Sequence, residues 1–145
     1  MSVLKEQIVS IIDKELPLIT NLSNVSAVLK EVEDVSWVGF YIVEKDYLYL
    51  GPFQGHVACT KIKMGKGVCG EAASKGKTIV IDDVSKITNY IACSSSTKSE
   101  LVVPIKKDDQ IVAVIDYDSD TISRFNDSSL VREIENISKV LSELF

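Results

Sequence analysis

Three thiols, three carboxylates and two aromatic rings are the residues of this chain whose types and spacing suit chemistry. Cys59 lies in "HVACT" and Cys93 in "YIACS", each after an alanine and each at a strand or loop end. Cys69 lies in "GVCGEAA", among small residues, where a packed, inert thiol is the simpler expectation. Asp116 and Asp118 close the apolar run "IVAVIDYDSD" two residues apart, which puts them on one face of a strand. Glu100 starts its own strand and can join them. Carboxylates at strand ends ordinarily face solvent. Three on one pocket wall would instead suit an ammonium-bearing ligand, or hold an acid of raised pKa for proton transfer. Trp37 and Tyr41 flank Gly39 on one face of "SWVGFYIVE". Either both rings pack beneath a loop, or the glycine leaves room for something to approach the backbone.

Other chemistries find little support. His56 is the single histidine, and with Cys59 it forms an isolated H-x-x-C. Neither Cys59 nor Cys93 has a partner at zinc-site spacing, so no metal and no cofactor are expected. Gly65–Lys66–Gly67 is too short for a phosphate-binding loop, and no Ser-His-Asp arrangement is convincing. The net charge is −5 and the basic residues are scattered, Lys61, Lys63 and Lys66 being the nearest to a cluster. This argues against a nucleic-acid partner, which needs clustered Lys and Arg. No stretch approaches the roughly 20 apolar residues of a membrane span. Lys5, Glu6, Asp13 and Lys14 interrupt the N-terminal apolar positions, so no secretory signal is expected and the address is cytoplasmic. Three cysteines in a reducing compartment make no structural disulfide framework, so each is a packed thiol, a ligand or a reactive group.

These residues need a scaffold. The composition, 46% hydrophobic and 26% charged over 145 residues, is ordinary for a globular chain and suggests one domain over 1–145. The spacing of Leu4, Ile8, Ile11 and Ile12 predicts a helix over 2–16 with Pro17 as its stop, and a second over 24–33. The period then changes. Residues 36–44 and the aromatic run 47–50 predict a hairpin about Glu44–Asp46. Further strands are expected at 59–64, 78–82, 100–106 and 110–117, with a turn at Asp108–Asp109. The Gly-bounded "GKGVCGEAASKG" predicts a short helix between the first two of these. Leu130, Ile134, Ile137, Leu141 and Leu144 form one stripe of a last helix, with Asn126 as its N-cap and Phe125 and Leu130 as a hydrophobic staple. Short turns between consecutive strands imply an antiparallel sheet. Terminal helices can cover only one of its faces, so loops around 51–58 and 84–99 must cover the other.

From the residues alone this is a cytosolic α+β domain with a possible pocket of aromatics, acids and thiols. Such a pocket suits redox chemistry on a small zwitterion without establishing it. A non-enzymatic small-molecule sensor competes, although a sensor normally sits beside an output domain and this length leaves no room for one. A thiol redox sensor or peroxidase also competes, but acids are poor company for its thiolate.

"GFYIV" (39–43), "GPFQGHVAC" (51–59), "GKGVCGEAA" (65–73), "IAC" followed by "TKSELVVPI" (91–105) and the strand end "VIDYDS" occur in order over nearly the whole chain. In these strings the chain resembles the free methionine-(R)-sulfoxide reductases, stand-alone GAF-domain enzymes. One local departure is Ser94, where an acidic or amide residue would follow the cysteine. The resemblance implies a GAF fold with a six-stranded antiparallel sheet, N- and C-terminal helices on one face and a loop-capped pocket on the other. It also implies reduction of free methionine-(R)-sulfoxide, with Cys93 attacking the sulfoxide, Cys59 forming a disulfide with it, and Cys69 in a supporting part. By the same carry-over Glu100, Asp116 and Asp118 are the pocket carboxylates, with Glu100 and Asp118 polarising the sulfoxide and Asp116 meeting the substrate ammonium. Trp37 and Tyr41 are the aromatic wall. Thioredoxin is the implied reductant and a homodimer the implied assembly.

Overall fold

The computed structural model describes residues 3–145; Ser2, the first residue of the predicted N-terminal helix, lies outside them. That helix, α1, spans Val3–Ile11 and ends earlier than predicted. The side-chain amide of Asn21 explains the stop: its Oδ1 accepts from Asp13 N at 2.9 Å and its Nδ2 donates to Asp13 O at 2.8 Å. This double bond to one backbone unit withdraws Asp13 from further helix. Pro17 is not the stop of α1 but the residue before α2, Leu18–Leu29, where a missing N–H costs nothing. Its carbonyl accepts from Thr20 N and Asn21 N. The predicted 24–33 was thus displaced by about half its length. Leu18, Leu22, Val25 and Leu29 form the stripe that α2 turns inward.

The strands follow as β1 (Trp37–Glu44), β2 (Tyr47–Gln54), β3 (Lys61–Lys63), β4 (Ile79–Ile81), β5 (Ser99–Lys107) and β6 (Gln110–Ser119), with α3 (Gly67–Lys75) after β3 and α4 (Ser128–Ser142) at the end. A 3-10 turn at Val84–Lys86 interrupts the segment between β4 and β5. All six strands form one antiparallel sheet in the order β3-β2-β1-β6-β5-β4. Two-residue turns join β1 to β2 and β5 to β6. In the second, Asp108 and Asp109 take φ of 51° and 63°, the left-handed conformation that short Asp side chains tolerate and that suits a hairpin's twist. The predicted β2 was too short: it runs through Gly51 and Pro52, so the lid expected over 51–58 begins only after Gln54.

The two faces differ as the alternation requires. Val38 and Phe40 of β1, Leu101, Val103 and Ile105 of β5, and Ala113, Ile115 and Tyr117 of β6 meet α1, α2 and α4 in the main core. Tyr117 is fully buried, and its hydroxyl donates to Leu29 O at 2.9 Å. That bond satisfies the phenol and adds a second donor to a carbonyl at the end of α2, which also accepts from Val32 N. Helix α4 buries Leu130, Ile134, Ile137 and Leu141. Its cap is Asp127, whose Oδ1 accepts from Leu130 N at 3.1 Å. The cap therefore sits one residue beyond the predicted Asn126, and Phe125 and Leu130 are out of register for a staple, although both enter the core. On the opposite face Trp37, Tyr41, Val102 and Val114 pack with Val68, Cys69, Ala72 and Ala73 of α3. Helix α3 thus supplies part of the cover that the pattern assigned to loops alone.

Candidate active site

The antiparallel register assembles the pocket wall. Trp37 of β1 pairs with Asp118 of β6, and Asp118 pairs with Glu100 of β5, so three site residues form one row across three strands. One step inward Asp116 stands between Gly39 and Val102. Trp37, Tyr41, Cys69, Cys93, Glu100, Asp116 and Asp118 line one pocket. Cys59 sits at its rim: its neighbour Ala58 lines the space, and its sulfur is bonded to that of Cys93, with the two Cα atoms 5.5 Å apart. All the residues singled out in the sequence are therefore brought together. With the disulfide closed, the free space between the side chains is about 30 Å³, room for about two waters.

Both aromatic rings have polar ends that hold the Cys59 loop. Trp37 Nε1 donates to His56 O at 3.0 Å, and Tyr41 OH donates to Cys59 O at 2.9 Å. Gly39 between them is not an open approach for a ligand. A Cβ there would lie 2.4 Å from Phe53 Cβ and 2.8 Å from Trp37 Cη2. The room left by the glycine is already filled by the packing of the wall itself. Phe53 stacks on Trp37 with ring centroids 5.3 Å apart. It belongs to the aromatic cluster, yet its place there depends on a bulge in the β1–β2 pairing between Gly39 and Tyr41 that alternation does not reveal.

The Cys93 segment is held from the other side. Asn89 Oδ1 accepts from Gly67 N at 3.0 Å, and its Nδ2 lies within bonding distance of Gly65 O and Gly67 O. Ile91 packs where a Cβ on Gly67 would sit. Tyr90 and Thr97 from the same segment line the pocket. None of these was marked in the sequence, since nothing local in "TNYIAC" distinguishes a latch from a surface loop.

The electrostatics follow from burial. Glu100 and Asp116 are 6% and 5% exposed, and Asp118 is half-buried. Desolvation, reinforced by the charges of Asp116 and Asp118, holds Glu100 well above the usual carboxylate range. Desolvation likewise raises Asp118, with help from Asp116 and Asp120, and raises Asp116. Each of the Glu100 and Asp116 carboxyls is therefore easier to protonate than a carboxylate in water. Asp116 Oδ1 has no hydrogen-bond partner among the described residues. Cys69 is buried and free, 3.9 Å from Glu100 Oε2. Burial and then the Asp116 and Glu100 charges push its thiol well up, which makes it a poor nucleophile. Tyr41 is raised beyond the ordinary phenol range by burial and the acids, so its hydroxyl stays a donor. The site thus combines a disulfide-bonded cysteine pair, buried carboxyls of raised pKa and an aromatic wall.

A sheet with these helices on one face and a capped pocket on the other is the architecture of a GAF domain, and the GAF domain model matches residues 7–136. The free methionine-R-sulfoxide reductase of Escherichia coli K12 is 40% identical over 132 residues, covering 88% of this chain and 80% of that protein. Among solved structures, the reduced form of fRMsr of Staphylococcus aureus aligns with a TM-score of 0.91 at 46% identity, over 99% of this chain and 94% of that one. The free methionine-R-sulfoxide reductase from Neisseria meningitidis, in complex with its substrate, aligns with a TM-score of 0.89 at 40% identity, over 98% and 83%. The chain belongs to the free methionine-R-sulfoxide reductase family of GAF-domain proteins.

Proposed function

We propose that this protein reduces free L-methionine-(R)-sulfoxide to methionine. The observation that carries the reading is the Cys59–Cys93 disulfide at the mouth of a pocket walled by Glu100, Asp116 and Asp118. In the reduced protein the Cys93 thiolate attacks the sulfoxide sulfur while Glu100 or Asp118 gives a proton to the sulfoxide oxygen. The attack bonds Cys93 Sγ to the substrate sulfur. The hydroxyl then moves from that sulfur to Sγ as the S–S and S–O bonds break, so methionine leaves and Cys93 is left as a sulfenic acid. Cys59 displaces that oxygen as water and closes the disulfide. A dithiol, thioredoxin in this reading, restores both thiols by exchange.

The raised acids resolve an apparent conflict. Ionised carboxylates beside a thiol would disfavour its thiolate, but burial holds Glu100 well above the usual carboxylate range, which suits it to serve as the acid. Asp116, with an unpartnered oxygen, takes the substrate ammonium, and the salt bridge so formed neutralises it. Trp37 and Tyr41 hold the methyl end. Cys69 supports the acids as a protonated neighbour. A pocket that encloses the ammonium in this way excludes peptide-bound substrate, whose nitrogen is an amide. The reading treats residues 1–145 as one domain working in the cytoplasm, with a homodimer as its assembly; no helix among the described residues is long and apolar enough to cross a membrane.

The test presents reduced protein in turn with free methionine-(R)-sulfoxide, the (S) epimer, a peptidyl sulfoxide and peroxide, and maps disulfides after each. Only the first should close Cys59 onto Cys93 with release of one methionine. Closure by peroxide alone would mark a thiol redox sensor, and closure by none would end the reductase reading.

A further inference from the structure

Cys69, Glu100 and Asp116 make up a donor set that the reductase reading uses only in part. One ligand atom from each, a sulfur and two carboxylate oxygens, lies within 4.8 Å of the others, and all three residues are buried. Asp116 Oδ1 is without a partner in this pocket. Sulfur with two oxygens is a borderline-soft set, suited to Zn²⁺ or Cd²⁺ and poorly suited to Mg²⁺ or Ca²⁺. Ideal tetrahedral coordination by one thiolate and one carboxylate separates those two ligand atoms by about 3.5 Å. Cys69 Sγ and Glu100 Oε2 are 3.9 Å apart, and the three atoms together, within 4.8 Å of one another, draw in toward that spacing around an ion. The free space of about 30 Å³ is too small for an amino acid but admits a bare ion with a water as a further ligand.

We propose that Cys69, Glu100 and Asp116 form a binding site for a Zn²⁺-class divalent cation, open in the disulfide form of the protein. Binding displaces the Cys69 thiol proton, as a thiolate ligand requires. The ion occupies the place that the reductase reading gives to the substrate ammonium. The ion therefore competes with the substrate ammonium for Asp116.

The disulfide form also makes the test clean, because Cys69 is then the one free thiol. Oxidised protein is titrated with Cd²⁺ and the ultraviolet thiolate-to-metal charge-transfer band is followed. The expected result is a band that saturates at one Cd²⁺ per chain and is lost in Cys69→Ser. Asp116→Asn and Glu100→Gln should each weaken binding by tenfold or more, with folding checked by circular dichroism. Wild-type oxidised protein that shows no such band overturns the proposal, as does a band that survives Cys69→Ser. A band of undiminished affinity in both carboxylate variants overturns it too, since Cys69 would then be binding as an isolated thiol. None of these readouts requires turnover, so they stand apart from the success or failure of the reductase reading.

Discussion

The hydroxyl of Tyr41 donates to the carbonyl oxygen of Cys59 at 2.9 Å, so a ring of the pocket wall also fixes the backbone of the proposed resolving cysteine. Removing that bond should separate the two half-reactions. Tyr41→Phe keeps the ring and loses a bond worth about 1 kcal/mol. Rapid-quench measurement should find methionine release in the first turnover close to wild type and Cys59–Cys93 closure slowed roughly two- to tenfold. Equal slowing of both steps would place Tyr41 in substrate binding alone.

Gly39 has no room for a methyl group. A Cβ would sit 2.4 Å from Phe53 Cβ and 2.8 Å from Trp37 Cη2, and the Phe53 contact is close to backbone that cannot move freely. Gly39→Ala should cost about 1–3 kcal/mol by overpacking, read as a lowered denaturation midpoint. Trp37 fluorescence should shift as its ring is displaced. A variant of wild-type stability would mean that the β1–β2 bulge absorbs the strain.

The acids should make the pocket a liability to the folded state. Burial raises Glu100, Asp116 and Asp118 above their unfolded values of about 4, so the native state binds more protons than the unfolded chain. The stability they contribute is fully present below the unfolded pKa and is lost as pH rises through the folded ones. Glu100→Gln and Asp116→Asn should therefore be stabilising at pH 8 by on the order of 1 kcal/mol, roughly 3–5 °C in melting temperature. The gain should shrink as pH is lowered toward 4, while reductase activity falls by at least tenfold. Thermal melts from pH 4 to 9 check the sign; a gain that grows toward acid would refute the assignment.

How much of this was open to sequence reading depended on whether the signal was periodic or three-dimensional. The stripe Leu130–Ile134–Ile137–Leu141 and the faces Val38/Phe40 and Trp37/Tyr41 repeat with the period of their element, and the structure turns them as expected. The Asp116/Asp118 pair could be placed on one face for the same reason. Pro17 misled because a proline marks a helix start as readily as a stop, and the bond that ends α1 comes from Asn21, eight residues beyond Asp13. Asn89, Phe53 and Tyr90 reach the site through a loop latch or a strand bulge, and no local pattern encodes either. The grouping of thiols with acids was suggested by residue chemistry, whereas the reaction itself came from resemblance.

The central claim is that Cys93 takes the oxygen from the sulfoxide. A Cys59→Ser/Cys69→Ser variant leaves Cys93 as the sole thiol, and a single turnover with free methionine-(R)-sulfoxide in the presence of a sulfenic-acid trap isolates its step. The account predicts one methionine per chain and a trapped adduct on Cys93, with no methionine released by Cys93→Ser. Methionine formation by Cys93→Ser, or none by the double-serine variant in a folded protein, would contradict it.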